Sequence, residues 1–132
     1  MERRILGKTG LEVSRLGLGL AQIGGFPLEE ADRVGALINT ALDSGISFLD
    51  TAASYRNSEE LIGSAVAHRR SENLLATKCG HRAAEMAWTV ETARNQIDRN
   101  RNRARIKNQV AGIKFTSFGI KIIIFFYYFV LV

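Results

Sequence analysis

Ile46-Ser47-Phe48-Leu49-Asp50, followed seven residues later by Asn57-Ser58-Glu59-Glu60-Leu61-Ile62, reads as a strand that feeds a helix across a short loop. The first run is largely apolar, is bounded by Gly45, and ends on a carboxylate. In the second, Leu61, Ile62, Ala65 and Val66 share one helical face, and Asn57 or Ser58 can cap the first turn. The same alternation repeats on both sides. Upstream, Leu16-Gly17-Leu18-Gly19-Leu20 is expected to be a buried strand whose glycines let other groups approach the backbone. Ala31, Val34, Leu37, Ile38, Ala41 and Leu42 then recur at spacings of three and four, which predicts an amphipathic helix from Leu28 to Ser44. Pro27 stands at its start, Glu29 and Glu30 in its first turn and Gly45 just past its end. Downstream, Leu74 to Lys78 is a third strand and Thr89 to about Arg99 a third helix. At the front, Arg4 to Leu6 and Leu11 to Val13 flank Gly7-Lys8-Thr9-Gly10, the pattern of a small β-hairpin. Strand and helix in alternation, with short loops, predict parallel strands covered by helices, the α/β class.

The net charge of +5 is unevenly placed. Residues 1–99 hold all 13 acidic residues and 12 of the 18 Lys and Arg, a net of −1, while residues 100–132 hold six bases and no acid. The body therefore lacks the basic face of a nucleic-acid-binding domain. Residue types change at the same place: Phe, Tyr, Met, Ile, Asn and Lys make up 17 of the first 99 residues and 19 of the last 33. All six have A/T-rich codons, so the reading frame is expected to depart from its original course near Asp98 to Asn100 through a frameshift or fusion. This predicts two segments, 1–99 and 100–132. The second runs from a basic stretch, Arg99 to Lys107, to eleven apolar residues, Ile122 to Val132. Such a β-prone, uncharged end favours self-association. The alternative is a membrane anchor over 112–132, although Lys114 and Lys121 interrupt it.

One cysteine, Cys79, permits no internal disulfide, and the first residues lack the apolar run of a signal peptide, so a reducing cytoplasm is the expected compartment. Cys79 is expected to be a small buried apolar group. No cluster has metal-ligand spacing.

Asp50 and Lys78 both fall at the C-terminal ends of predicted parallel strands, where α/β folds place their active sites, and Tyr55 lies five residues beyond Asp50. A phenol ordinarily ionises near pH ~10. A nearby ammonium stabilises the phenolate, and a carboxylate keeps that ammonium charged and in place. Asp, Tyr and Lys on one rim therefore form a credible proton donor to a carbonyl oxygen. Each also has a plainer role, as loop cap, rim aromatic and solvated strand end.

Arg15-Leu16-Gly17-Leu18-Gly19, Phe48-Leu49-Asp50-Thr51-Ala52 with Tyr55, Ser58-Glu59-Glu60-Leu61-Ile62-Gly63 and Ala76-Thr77-Lys78 together resemble the N-terminal part of the aldo-keto reductases, over roughly residues 1–99. The resemblance implies a (β/α)8 TIM barrel preceded by a hairpin, of which this chain supplies about three βα units. It also implies reduction of small aldehydes or ketones with NADPH. Carried over by position, Tyr55 is the proton donor, Lys78 its activator and Asp50 the partner of the lysine. The backbone of Gly19, Leu20 and Ala21, with Asp50, borders the nicotinamide.

Three departures accompany the resemblance. The family's catalytic histidine ends the fourth strand, and the sequence diverges before it; His81 follows the wrong strand and is expected, like His68, to be an exposed surface residue. The loops near strands seven and eight that hold the adenosine phosphates have no counterpart, so the 132 residues alone are expected to be inactive. Arg56 stands where the family usually has glycine; if that position needs a positive φ, the loop carrying Tyr55 is strained.

Overall fold

The computed structural model describes residues 1–78 and 90–105. Two strands, β1 (Arg3–Ile5) and β2 (Glu12–Ser14), form the antiparallel hairpin, with Arg4 opposite Val13. Three further strands, β3 (Gly17–Gly19), β4 (Phe48–Asp50) and β5 (Leu74–Ala76), form a parallel sheet in the order β3-β4-β5. Between them run α1 (Ala31–Asp43) and α2 (Ser58–Val66), and α3 (Val90–Arg103) follows β5. This is the three-unit α/β segment with a leading hairpin that the alternation predicts.

The strands are three residues long, and their registers are level: Gly19 pairs with Asp50 and Asp50 with Ala76. The hairpin is tied to the sheet by a reciprocal pair. The Ser14 amide donates to Ser47 Oγ at 2.9 Å, and the Ser47 amide donates to Ser14 Oγ at 2.8 Å, with both serines buried.

The core lies between the sheet and the two helices: Leu20, Leu49, Val34, Ile38, Leu42, Leu61, Ile62, Ala65 and Val66 are all buried, with Leu18 and Leu75 packed beside them. The predicted helix of residues 28–44 is divided. Leu28–Glu30 is a 3-10 turn on Pro27, and the α-helix begins at Ala31. Its end is a Schellman motif, in which Gly45 takes φ +89° and the Gly45 and Ile46 amides donate to Leu42 and Ala41 carbonyls. Leu37 does not join the buried face and is 53% exposed. At 3.6 residues per turn it lies roughly 115° from the middle of the stripe formed by Val34, Gly35, Ile38 and Leu42.

The first strand is less buried than expected. Gly17 and Gly19 are exposed because β3 pairs on one side only among the described residues. The third helix runs four residues beyond its predicted end near Arg99, and Asn100 and Ala104 are buried. His68 is exposed, as predicted. His81, Cys79 and the apolar segment 112–132 lie outside the described residues. Among the described residues no helix is long and apolar enough to cross a membrane, and no group of His, Cys, Asp or Glu could hold a metal ion.

Candidate active site

The parallel ladder continues past the ends of the strands and builds a rim. The Leu20 amide donates to Asp50 O at 2.8 Å, the Thr51 amide to Ala76 O at 2.9 Å and the Ala53 amide to Lys78 O at 3.3 Å. Lys78, two residues beyond β5, turns its side chain back over β4. Its Nζ donates to Asp50 Oδ1 at 2.8 Å, to Asp50 Oδ2 at 2.7 Å and to Thr51 O at 3.1 Å. An ammonium has three donors, and these acceptors match that number. Both side chains are sheltered, 19% exposed for Lys78 and 26% for Asp50, so solvent screens this pair less than a surface ion pair. The same Nζ lies 5.4 Å from the centroid of the half-buried Tyr55 ring. The three residues singled out in the sequence are thus brought together.

Tyr55 is held by a loop with little freedom. Its amide donates to Ala52 O, and its carbonyl accepts the Ser58 amide at 2.9 Å. Buried Gly24, in the 3-10 turn Gln22–Gly25, packs directly against that carbonyl. A Cβ at position 24 would stand 2.0 Å from Tyr55 O, so only glycine allows this approach. The proposed caps of α2 do other work. Asn57 and Ser58 make no side-chain cap; Asn57 Nδ2 donates to Phe26 O at 3.0 Å, and Ser58 Oγ donates to Leu20 O at 2.8 Å and lies 2.7 Å from Thr51 Oγ1. These bonds stitch the loop after β4 to the loop after β3. Between them sits Arg56 with φ +47°, in the left-handed region where glycine is at ease and other residues are strained.

Of the backbone expected to border a cofactor, Gly19 and Ala21 are exposed, whereas the Leu20 side chain is in the core and 2% exposed. Among the described residues, no atom beyond its chain neighbours lies within 4 Å of where a Cβ on Gly19 would stand. Open space over a bare backbone, level with Asp50, fits the approach of a flat ring.

Residues not singled out for the site complete its support. Glu59, on the same helical face as Ile62 and Val66, is 1% exposed and accepts the Thr77 hydroxyl through Oε1 at 2.6 Å. Burial pushes its carboxyl above the usual range, against the Thr77 hydrogen bond and the charge of Arg103, which pull it down. Its position four residues before Gly63, within the apolar stripe, was the available signal.

A model of the "Aldo/keto reductase family" matches residues 15–117. Pyridoxal 4-dehydrogenase of Microbacterium luteolum is 46% identical over 66 residues, 47% of this chain and 19% of the relative. Aldo-keto reductase YhdN of Bacillus subtilis is 37% identical over 114 residues, 83% of this chain and 32% of the relative. Among solved structures, an aldo-keto reductase from Bacillus halodurans in its holo form matches with TM-score 0.65 at 30% identity, over 80% of this chain and 37% of its own. One from Klebsiella pneumoniae, in complex with NADPH, matches with TM-score 0.66 over 80% of this chain and 36% of its own; at 20% identity this is a likeness of fold. The chain spans between a fifth and a third of the length of these curated relatives. The family match covers most of the chain, and the hairpin and parallel strands are those of a barrel's opening units, so this chain belongs to the aldo/keto reductase family.

Proposed function

We propose that the chain carries the proton-donating corner of an NADPH-dependent carbonyl reductase acting on small aldehydes or ketones. The observation that carries this is the Lys78 ammonium, fixed by Asp50 and Thr51 O and held 5.4 Å from the Tyr55 ring. Tyr55 gives its phenolic proton to the substrate's carbonyl oxygen. The Lys78 ammonium stabilises the phenolate left behind, and the Asp50 carboxylate holds that ammonium in place. The exposed backbone at Gly19 and Ala21, with Asp50, would hold the nicotinamide. NADPH, when bound, supplies the hydride. The open space over Gly19 supports this placement.

Residues 1–132 alone are expected to show no turnover, because β3 and β5 leave the sheet open at both edges among the described residues. The same open edges support self-association, which light scattering after gel filtration would report as a mass above 14.6 kDa. The chemistry is tested by grafting residues 1–78 onto the barrel of the Bacillus subtilis relative in place of the matching segment. The chimera is expected to oxidise NADPH with 4-nitrobenzaldehyde, and Tyr55→Phe to lower its kcat by about 10²-fold or more. A folded chimera whose turnover survives Tyr55→Phe would sink the proposal.

A further inference from the structure

The chain at Lys78 is gripped from two helices, at the Thr77 hydroxyl and at the Lys78 carbonyl, as well as through the ammonium. From α2, Glu59 holds the preceding residue by the 2.6 Å bond from the Thr77 hydroxyl. From α3, Asn100 is 3% exposed and its Nδ2 donates to Lys78 O at 3.2 Å, the same carbonyl that accepts the Ala53 amide. An acid at position 59 is otherwise costly. Among the described residues its Oε2 has no hydrogen-bond partner, and Arg103 Nη1 stands 3.9 Å away. An apolar residue there would extend the face formed by Leu61, Ile62 and Val66 and avoid desolvating a carboxylate. What the carboxyl achieves instead is a bond to the residue beside Lys78. A lysine carries its charge at the end of four methylenes, so a small rotation of residues 77–78 swings the ammonium away from Asp50 and the Tyr55 ring.

We infer that Glu59 and Asn100 are positioning residues for Lys78, holding the end of β5 so that the ammonium meets Asp50. This rests on the role given above to Lys78, yet its test does not require turnover. The full chain, which has five lysines, is acetylated with limiting N-hydroxysuccinimidyl acetate, and each lysine is quantified by mass spectrometry against exposed Lys8. Circular dichroism confirms the fold of every variant, and the reaction is run well below its unfolding midpoint. Thr77→Val and Asn100→Ala are expected to raise the Lys78-to-Lys8 ratio by about threefold or more, the population shift that loss of one ordinary hydrogen bond permits. Thr77→Ser keeps the hydroxyl and Glu59→Gln keeps the acceptor oxygen, so both are expected to retain the wild-type ratio. A role confined to stability would move the midpoint of Thr77→Val and Asn100→Ala and the ratio of none. If Asn100→Ala fails to fold, the Thr77 pair decides. A ratio below threefold in folded Thr77→Val, or an equal rise in Thr77→Ser, overturns the inference. An unchanged ratio beside a Tyr55-dependent chimera would remove the positioning role alone; a raised ratio beside a Tyr55-independent chimera would remove the reductase chemistry alone.

Discussion

Replacing Arg56 with glycine is expected to make the protein more stable. At φ +47° the arginine Cβ crowds its own carbonyl, a penalty of about 1–2 kcal/mol for a non-glycine residue. Glycine removes that penalty but has more backbone freedom to lose on folding, about 0.5–1 kcal/mol relative to a residue with a Cβ. The net gain is about 0.7 kcal/mol, or about 3–4 °C in Tm for a folded body of this size. Thermal unfolding followed by circular dichroism, with urea titration beside it, measures the change. Arg56→Ala is the control, because alanine discards the guanidinium and keeps the Cβ. If strain is the cause, glycine stabilises and alanine does not. A glycine variant no more stable than the alanine variant would refute the reasoning and assign the arginine's cost to its side chain.

Gly24→Ala is expected to destabilise by about 1–3 kcal/mol and to shift the Tyr55 ring resonances, because the new methyl would occupy the space of Tyr55 O; an unshifted ring would contradict the close packing. Glu59 links stability to pH with a definite sign. Its folded carboxyl binds a proton more tightly than the unfolded one, so the stability it contributes is fully present below the unfolded carboxyl's range and is lost as pH rises through the raised folded value. Urea midpoints measured across that window should fall with pH in the wild type, and Glu59→Gln should flatten this component. Ser14→Ala removes the acceptor of the buried Ser47 amide, at a cost of about 1–3 kcal/mol, and should speed hydrogen exchange at Ser47 more than at Leu49.

The strand ends were legible because periodicity and turn chemistry are local. Asp50 follows an apolar run and Lys78 follows another, and the parallel order then sets both on one rim. Arg56 stood out through the resemblance, because it stands where the family usually has glycine, and its φ of +47° meets the condition set there for strain. Tertiary roles were hidden. Asn57 and Ser58 have the side chains of good caps, yet their hydrogen bonds go to Phe26 and Leu20, elements far away in sequence. Glu59 looks like a favourable charge in a helix's first turn; its place in the apolar stripe hints at burial, but its partners Thr77 and Arg103 come from elements distant in sequence. The extension of α3 to Arg103 was obscured by the shift in composition near residue 100, since arginine propagates a helix well whatever its neighbours encode.

The level register of β3, β4 and β5 also has a consequence for how the protein is made. Each strand brings one portion of the rim, in chain order, and synthesis delivers them in that order from the N-terminus. Asp50 and Tyr55 leave the ribosome first, and the carboxylate stays in contact with water until the ammonium, 28 residues later, arrives with β5. Closure of the Asp50–Lys78 pair therefore marks the docking of the third strand. A nascent chain stalled at successive lengths should acquire a sheltered lysine only once that strand has cleared the exit tunnel, so the ion pair serves as a clock for assembly.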